Sequence, residues 1–491
     1  MIPRNQENLT MLFDFYEMTM ANGYYKQHLE NTIGYFDLYY RHNPDNAGFS
    51  IFSGLESVIT YLREFHFSEE DIDFLRTKKV FDEKFLEFLR TLTLDCDIWA
   101  VPDGTVVFPN EPLITVRGPI IQASLLETML LLLINHQSLV ATKANRIVRA
   151  SDGRAVMEFG SRRAQGPDAA TLGARAAYIA GCAGTANTLA DQRFGVPALG
   201  TMAHSWVMMF PSEYEAFRAY AEIYPENCNL LVDTFNTLES GIPNAIRVFR
   251  EILAPKGYRP GGIRLDSGDI AYLSKRARKM LDDAGFPDAK IVASNSLDEY
   301  TITEILSQGA KIDSFGVGEN LITSKTEPVF GGVYKLVAQD RDGVHTPKIK
   351  ISENVEKITT PGFKQVHLLY DKTTGLKLSD VITLRDETID DTKPYEIFHP
   401  VHTWKRMTLT NFFSRPLQIP IYQNGKCVYS LPDLNSRREY CQSEIDSLWE
   451  EYKRFENPHV YKVDLSQKVW DLKNRLLHEA NRKGKSANSD Q

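Results

Sequence analysis

A histidine and a serine, His204 and Ser205, follow a mostly apolar run that extends from Val196 to Met202. The run predicts a buried strand that ends near the histidine. An imidazole in such a place, between small residues that leave room for a ligand, can serve proton, metal or phosphoryl chemistry. A single histidine is more often a structural residue held by hydrogen bonds. The residues at the neighbouring strand ends must therefore show whether His204 is functional.

Five other short apolar runs are each followed by a polar or glycine-containing turn and a helical segment. With the first run, the predicted strands are residues 155–159, 196–202, 229–233, 262–265, 290–293 and 314–317. Consecutive βα units form a parallel sheet, which either closes as a barrel or stays open and doubly wound. We predict a barrel. In both architectures the ligand binds at the carboxyl ends of the strands.

Glycines and hydroxyls at these predicted strand ends indicate an anion site. Gly316 and Gly318 close the last run, where the absence of a side chain lets backbone N–H groups approach a phosphate. Ser294 and Asn295 precede a predicted capping box that Ser296 begins, so the free N–H groups of a helix start would favour an anion there. Two neighbouring strands would then hold one phosphate.

Charged residues at the same edge suit a sugar phosphate. Asp266 and Asp269 could meet ribose hydroxyls or Mg²⁺ that carries pyrophosphate, or they could simply cap a helix. Arg264 would supply positive charge to the same ligand. Asp233 ends another of the runs. Solvated turns are also polar, but this combination favours a phosphoribosyl ligand.

An aromatic ring and two guanidinium groups follow the first run of the predicted sheet. Phe159 is separated from Arg162 and Arg163 by a glycine and a serine. A ring face and a guanidinium can be offered together to one planar anion. This arrangement is typical of a site for an aromatic carboxylate.

The composition places the chain among soluble globular proteins that act on small molecules. With 491 residues, about two or three domains are expected. The net charge of −8 and the absence of a Lys/Arg-rich block argue against nucleic acid as a partner. Five scattered cysteines indicate neither disulfides nor a zinc site. No export signal is recognisable, and no apolar run approaches the roughly 20 residues that span a bilayer, so we expect a cytoplasmic protein without a membrane partner.

The order of patterns along the chain predicts three regions. Residues 1–123 should form an N-terminal α/β domain, with a first helix within 9–30 and antiparallel strands within 101–116. Residues 124–330 should form the barrel. Antiparallel strands within about 331–398 should return to the first domain, and residues 399–491 should form a mixed, helical extension with a polar, mobile tail.

Four motifs strongly resemble those of the nicotinate phosphoribosyltransferase family, and the likeness covers nearly the whole chain. They are Glu-Phe-Gly-Ser-Arg-Arg-Ala-Gln-Gly-Pro-Asp at 158–168, Gly-Thr-Met-Ala-His-Ser at 200–205, Arg-Leu-Asp-Ser-Gly-Asp at 264–269 and Gly-Gly-Val-Tyr-Lys-Leu-Val at 331–337. The resemblance implies the condensation of nicotinate with 5-phosphoribosyl-1-pyrophosphate to nicotinate mononucleotide and pyrophosphate in NAD salvage. It also implies Mg²⁺, coupled ATP hydrolysis, an irregular α/β barrel of the type II phosphoribosyltransferases and a homodimer with shared active sites.

The same resemblance implies a role for each site residue. Tyr16 from the partner subunit and Phe159 would sandwich the pyridine ring, and Arg162 would meet its carboxylate. The other residues would serve the phosphoribosyl donor and ATP: Arg264 and Asp266 on the phosphoribose, Gly316 and Gly318 on its 5′-phosphate, Asp233, Ser294, Asn295 and Ser205 beside them, and His204 as the residue that ATP phosphorylates. Mg²⁺ would be held mainly by substrate phosphates, with Asp266 and Asp269 as possible ligands.

Two rival interpretations stay open at this point. A sister phosphoribosyltransferase could act on nicotinamide or quinolinate, and a non-catalytic relative could keep the fold and bind ligands. The nicotinamide enzyme carries an acid in the stretch corresponding to residues 181–187, and none occurs there. The acid-free stretch favours nicotinate, and the intact set of His204, Arg264 and Asp266 favours an enzyme.

Overall fold

The computed structural model describes residues 8–354 and 357–489. The chain divides into two compact units. Unit 1 takes the chain up to Leu139 and again from Val329, and unit 2 is Val140–Pro328. Residues 399–489 thus belong to unit 1. The boundaries after residues 123, 330 and 398 that the sequence suggests stay a prediction.

The first part of unit 1 alternates helices with short strands. Its elements are α1 Phe15–Lys26, β1 Ile33–Tyr39, β2 Ser50–Ile51, α2 Leu55–Glu64, α3 Glu69–Thr77, α4 Glu83–Arg90, β3 Asp97–Ala100, β4 Val106–Val107, β5 Ile114–Pro119, α5 Ile120–Leu125 and the first half of α6 Glu127–Ala150, which continues into unit 2. Local sequence explains their starts: Ser68 and Asp71 form a reciprocal cap at α3, and the Asp82 side chain caps α4. The first helix and the strands within 101–116 were both predicted.

Residues 120–150 form, within the described part of the chain, the one helical stretch whose length and composition would suit a membrane span. Its most apolar window is 61% buried inside the protein. The sequence from about residue 124 to 149 is apolar nearly all round, which predicts a buried helix. The structure agrees, apart from the break between α5 and α6.

Unit 2 follows the predicted alternation of strands and helices. Its elements are β6 Ala155–Glu158, α7 Pro167–Ile179, β7 Gly184–Thr185, α8 Thr188–Phe194, α9 His204–Met208, α10 Glu213–Ile223, β8 Asn229–Leu231, α11 Ile242–Val248, β9 Gly262–Leu265, α12 Ile270–Asp283, β10 Lys290–Ser294, α13 Glu299–Ser307, β11 Ser314–Val317 and α14 Glu319–Ile322. Short 3-10 and π segments lie between some of them. At α10 the sequence Ser212-x-x-Glu215 predicts a capping box, and the structure has half of it: Ser212 Oγ accepts from the Glu215 N–H at 3.3 Å, whereas the Glu215 carboxylate accepts from the Ser212 hydroxyl and not from its backbone N–H.

The strands of unit 2 form one six-stranded sheet in the order β7-β6-β11-β10-β9-β8, and every pair is parallel. Ser294 aligns with Gly316 and Val317 with Glu158, so the carboxyl ends of the central strands lie at one edge. In the described residues β7 and β8 are the outer strands. One isolated bridge, from Thr185 to Ala198, continues the ladder beyond β7.

The prediction of a strand at 196–202 is wrong. Apart from the Ala198 bridge this segment is irregular, and residues 197–200 are exposed. Pro197 has no N–H to give to a ladder, and the segment's apolar residues mostly face solvent rather than a core. The strand beside β6 is instead β7, which has only two residues.

The last part of unit 1 is mostly antiparallel. Its elements are β12 Val333–Arg341, β13 Val344–Pro347, β14 Lys364–Asp371, β15 Lys377–Leu384, β16 Tyr395–Phe398, β17 Arg406–Leu409, β18 Phe412–Pro416, β19 Ile419–Gln423, β20 Lys426–Cys427, α15 Leu434–Asp446, α16 Glu450–Lys453, β21 Val463–Leu465 and α17 Gln467–Ser489. Helix α17 extends into the predicted tail, whose last two residues lie outside the described residues.

Some of these later strands join the sheet begun near the N-terminus: β12 and β13 come from the predicted range 331–398, whereas β19 and β20 come from beyond it. The seven-stranded sheet has the order β13-β12-β1-β5-β3-β19-β20, and Leu38 of β1 pairs with Tyr334 of β12. A second sheet has the order β18-β14-β15-β21. One continuous hydrophobic core, from Met18 to Val469, lies within this unit. Among the antiparallel strands expected within 331–398, the pattern Lys-Ile-Lys-Ile at 348–351 also predicts one, but β13 ends just before it and these residues form no strand.

Candidate active site

Three strand ends of unit 2 are joined by hydrogen bonds. Asp233 follows β8, Asp266 follows β9 directly, and Ser294 is the last residue of β10. The Ser294 hydroxyl donates to the Asp266 carboxylate. The Asp266 backbone N–H donates to Asp233 Oδ2 at 2.7 Å. The structure therefore brings together three residues that the sequence placed at one edge.

His204 joins this network through Asp233. The two side chains approach at 3.1 Å, from Nε2 to Oδ1, and Ser267 Oγ donates to Asp233 Oδ2 at 2.8 Å. A hydrogen bond donated to the carboxylate requires a proton on Nε2, so the neutral tautomer that fits this contact carries its lone pair on Nδ1. The Asp233 side chain is 1% exposed, whereas that of His204 is 38% exposed. The imidazole is therefore held on its buried side and open to solvent.

The surroundings of His204 differ from the prediction in one respect. The histidine is the first residue of the five-residue helix α9 and does not end a strand. Ser205 is the second residue of that helix, and its side chain is exposed.

Arg264 is a mostly buried arginine at this edge. Its side chain faces an acid but forms no close ion pair with it. Its Nη1 donates to Thr201 Oγ1 at 2.7 Å and to the Met202 carbonyl at 3.2 Å, and its Nη2 lies 3.8 Å from Asp266 Oδ1. Burial lowers the pKa of this guanidinium, the acids oppose that shift, and the charge of Arg162 adds to it. Arg162 therefore lies near enough to influence Arg264.

Phe159 packs its ring against the last strand of this edge. A Cβ added at Gly316 would lie 2.5 Å from Phe159 Cδ2, so glycine is required there by the ring. This reason differs from the predicted approach of a phosphate. A Cβ at Gly318 would lie 3.1 Å from the Phe159 carbonyl oxygen, a tight but less severe contact.

The buried carboxylate of Glu158 was not predicted as a site residue, although it precedes Phe159 at the end of β6. It accepts a hydrogen bond from Thr185 Oγ1 at 2.6 Å and another from the Gly160 backbone N–H. Burial raises the pKa of this carboxyl. Glu158 thus fastens the turn that carries the ring and the two arginines.

Those arginines lie in the short 3-10 segment Ser161–Arg163, and both are exposed. Arg163 Nε lies 3.8 Å from Glu319 Oε2. Arg162 makes no ion pair within the part of the chain that the structure describes, so its charge remains available to a ligand.

Two predictions about helix starts need correction. Helix α13 is capped by Asp298 and not by Ser296, so Ser294 and Asn295 do not lie at a helix start. Asn295 and Ser296 instead form a left-handed turn, with φ values of 95° and 44°. Asp269 caps α12, since its Oδ1 accepts from the Tyr272 N–H at 2.8 Å. The capping alternative therefore explains Asp269, while Asp266 faces Ser294 and Arg264.

The described residues contain no cluster of three or more His, Cys, Asp or Glu side chains that would suit a metal ion. Asp266 and Asp269 are occupied by different hydrogen bonds, as above.

Three buried polar atoms near the strand ends have no hydrogen-bond partner in the described structure. They are Ser161 Oγ, Thr234 Oγ1 and Arg264 Nε. Leaving such a group unpaired costs about 1–3 kcal/mol. Groups of this kind at a strand edge are typical of a site that a polar ligand completes.

Tyr16 belongs to α1 of unit 1, and 45% of it is exposed. Burial of the rest and the nearby Glu127 raise its pKa to about 12. The hydroxyl is therefore protonated at neutral pH, and the ring is available to a partner.

A parallel sheet whose carboxyl edge carries arginines, acids and hydroxyls defines a mixed α/β protein that binds an anionic small molecule. Three family models match the chain. The N-terminal domain of nicotinate phosphoribosyltransferase matches residues 11–135, the family itself matches 154–359, and the C-terminal domain matches 363–473. The chain belongs to the nicotinate phosphoribosyltransferase family, which confirms the resemblance read from the four motifs.

Individual relatives agree with this assignment. The chain is 44% identical over 475 residues to a nicotinate phosphoribosyltransferase of Bacillus subtilis, covering 96% of each chain. It is 31% identical to the Homo sapiens protein of that name, over 95% of this chain and 96% of the other. A crystal structure of human nicotinic acid phosphoribosyltransferase superimposes with a TM-score of 0.82 at 29% identity, covering 95% of this chain and 100% of that one. A nicotinate-nucleotide pyrophosphorylase from Pyrococcus furiosus, with a TM-score of 0.69 and 22% identity over 91% and 97% of the chains, shares the fold.

Proposed function

We propose that the enzyme joins nicotinate to 5-phosphoribosyl-1-pyrophosphate at the carboxyl edge of the unit 2 sheet, giving nicotinate mononucleotide and pyrophosphate. This is the reaction of its family in NAD salvage, and we propose a cytoplasmic location for it. The observation that carries the placement is the hydrogen-bonded network of His204, Asp233, Asp266 and Ser294, with Arg264 beside it.

The chemistry asks mainly for positioning. The pyridine nitrogen forms a bond to C1 of the ribose while the bond from C1 to the pyrophosphate oxygen breaks, through an oxocarbenium-like state. The protein must hold the two reactants in line and stabilise the departing charge. Arg264 would meet the phosphoribosyl donor, and Asp266, Asp233, Ser294 and Asn295 would surround the sugar. Gly318 and Gly316 would border its 5′-phosphate, and Ser205 would lie beside the phosphates.

The acceptor would be nicotinate, because the site offers a free cation to which its carboxylate can bind. Arg162 is exposed, makes no ion pair in the described residues, and follows the ring of Phe159. Offering nicotinate, nicotinamide and quinolinate in turn, with Mg²⁺ and the donor, tests the proposal by the mononucleotide formed. Product from nicotinamide or quinolinate alone would favour the sister enzymes. No product from any of the three acceptors would favour a non-catalytic relative.

We expect Arg162→Ala to raise the KM for nicotinate by tenfold or more and to change the KM for the donor by less than about twofold. Losing a charged partner of a bound carboxylate costs about 2–5 kcal/mol. Arg163→Ala is the matched control, because Arg163 is the adjacent arginine but faces Glu319. Steady-state kinetics decide the matter. Equal effects of the two substitutions on nicotinate would refute the role of Arg162.

ATP would act as a co-substrate that phosphorylates His204. The half-exposed imidazole has its Nδ1 lone pair free, and Asp233 holds the opposite nitrogen. Mg²⁺ would accompany the phosphates of the substrates, because this ion is usually bound through one or two carboxylates together with substrate phosphates, and Asp266 and Asp269 are the possible protein ligands. The ion would neutralise phosphate charge when bound.

The enzyme would be a homodimer with shared sites. Support comes from α1 and the residues before it, which expose a series of large apolar side chains. These are Leu9, Leu12, Phe15, Tyr16 and Met20. Exposed apolar surface of this kind is typical of protein interfaces. Tyr16 would then stack on the nicotinate ring in the partner subunit, opposite Phe159.

Mixing two variants tests the sharing of sites. Tyr16→Ala and His204→Ala homodimers should each lack ATP-stimulated synthesis, and random exchange of subunits should restore about one quarter of the wild-type rate. Half of the dimers would be mixed, and each mixed dimer would hold one complete site. Native mass spectrometry should verify that exchange has occurred. Absence of recovery after verified exchange would place Tyr16 outside a shared site.

The irregular barrel is part of the same proposal. Its closure would run through residues 197–202, which contact the outer strand β7 and also β9, the neighbour of the other outer strand β8. On one side Leu199 N–H donates to the Thr185 carbonyl at 2.7 Å. On the other, Arg264 of β9 binds Thr201 and Met202. These contacts support a ring that is closed by side-chain bonds where the ladder is missing.

A further inference from the structure

Unit 1 contains a cavity of about 590 Å³ that has no part in the proposed reaction. Its walls come from β1, from the segment 358–364, from residues 400–403 and from β21 and α17. Apolar side chains predominate, among them Ile358, Ile382, Leu465 and Leu477. Mostly apolar cavities of this size with a few polar groups are typical of small-molecule sites.

Two lysines reach this cavity, and the first is neutralised. Lys364 Nζ lies 2.8 Å from Asp37 Oδ2, and both side chains are 2% exposed. Asp37 also accepts from Thr115 Oγ1 at 2.7 Å. The carboxylate is therefore fully used by groups in the wall.

The second lysine has no such partner. Lys473 of α17 contacts Thr360 Oγ1 at 3.5 Å, and no carboxylate lies within 4.0 Å of its Nζ in the described structure. Burial and the charge of Lys364 lower the pKa of Lys473. An ammonium group that is desolvated and unpaired is costly, and a bound anion would remove that cost.

Next to Lys473 stands an aromatic wall. Trp470 lies one helical turn earlier on α17, and its Nε1 donates to the Pro400 carbonyl at 3.0 Å. Tyr39 of β1 also borders the cavity. The held indole offers a fixed face beside a cation, which suits a flat or apolar body that carries an acidic group.

We propose that this cavity binds a small organic anion, with its carboxylate or phosphate at Lys473 Nζ and its apolar body against Trp470 and the aliphatic wall. The segment beyond residue 399 supplies much of that wall. The site is distinct in sequence from every residue assigned to the phosphoribosyl transfer, so its test does not depend on that assignment.

Calorimetry with phenyl phosphate, benzoate and phenol tests the proposal, with nicotinate mononucleotide present at saturation to occupy both the pyridine and the phosphoribose positions at the strand edge of unit 2. The two anions should bind and the neutral phenol should not. Lys473→Met should weaken the anions by about tenfold or more, as expected for the loss of one charged contact. Lys468→Met is the matched control, since Lys468 is an exposed lysine on the same helix. Equal affinity in the two variants, or no anion binding to the wild type, would overturn the proposal.

Chemical labelling of the unmodified chain gives a second test that survives misfolding of a variant. The aldehyde of pyridoxal 5′-phosphate condenses with an uncharged lysine amine to an imine and water, and borohydride then delivers hydride to give a stable secondary amine. Lys473 should be labelled faster than Lys468, and phenyl phosphate should protect Lys473 alone. Labelling of both lysines at one rate, or labelling without protection, would contradict an anion site.

Discussion

Replacing His204 by alanine should abolish both the transfer of the γ-phosphoryl group of ATP to the protein and the stimulation of synthesis by ATP. The imidazole side chain is 38% exposed and is anchored through Nε2 to Asp233. A neutral imidazole with a free lone pair is a competent nucleophile toward phosphorus, and breaking the bond to the leaving ADP gives a phosphohistidine. No other side chain assigned to this edge offers an equivalent nucleophile.

The measurement is transfer of ³²P from γ-labelled ATP, with acid-labile and base-stable label mapped to a peptide. We expect the label on Nδ1 of His204, because the opposite nitrogen is engaged. Slow synthesis without ATP should persist, since pyrophosphate is already a good leaving group. Met208→Ala, an exposed change in the same short helix, should keep ATP stimulation. Label on another residue, or undiminished stimulation in His204→Ala, would reduce His204 to a structural role.

Replacing Arg264 by alanine should lower kcat/KM for the phosphoribosyl donor by about 30- to 4,000-fold. Truncating one partner of a buried, hydrogen-bonded charge costs about 2–5 kcal/mol, and about 1.4 kcal/mol corresponds to a factor of ten. Its side chain is 13% exposed and its Nε has no partner in the described structure, so a ligand oxygen is the group that it lacks.

Arg264→Lys separates charge from geometry. Lysine keeps the positive charge but cannot bond Thr201, Met202 and a ligand at once, so we expect an intermediate loss. Arg259→Ala is the control, because Arg259 forms an exposed ion pair with Asp288 in the same unit and should change the rate less than twofold. Thermal unfolding must show similar stability for the variants. A donor kcat/KM within threefold of wild type in Arg264→Ala would exclude the assignment.

The sequence predicted β9 and β11 to the residue, because short buried parallel strands are continuous apolar runs between polar turns. The same rule failed at 196–202. That run is also apolar, but Pro197 removes a ladder donor and residues 197–200 are exposed. The two-residue strand β7 contains only a glycine and a threonine, which carry no apolar signal.

Site residues were predictable where they follow a strand directly, as Asp266 and Ser294 do. Residues whose importance depends on the direction in which a neighbouring side chain points could not be predicted. Thr201 matters because Arg264 turns toward it, and Glu158 matters because it fastens the turn beyond Phe159. Gly316 was identified for one reason and required for another, since the position of the Phe159 ring follows only from the fold.

Arg264 donates hydrogen bonds to Thr201 and Met202, which lie just before His204 in the chain. Asp233 accepts hydrogen bonds from both the His204 ring and the Asp266 backbone. The residue proposed to receive phosphate and the residues proposed to hold the sugar therefore belong to one hydrogen-bonded network. Thermodynamic reciprocity then fixes a relation between two separate experiments. Whatever factor phosphorylation of His204 contributes to the affinity for the donor, bound donor must shift the phosphorylation equilibrium of His204 by that same factor.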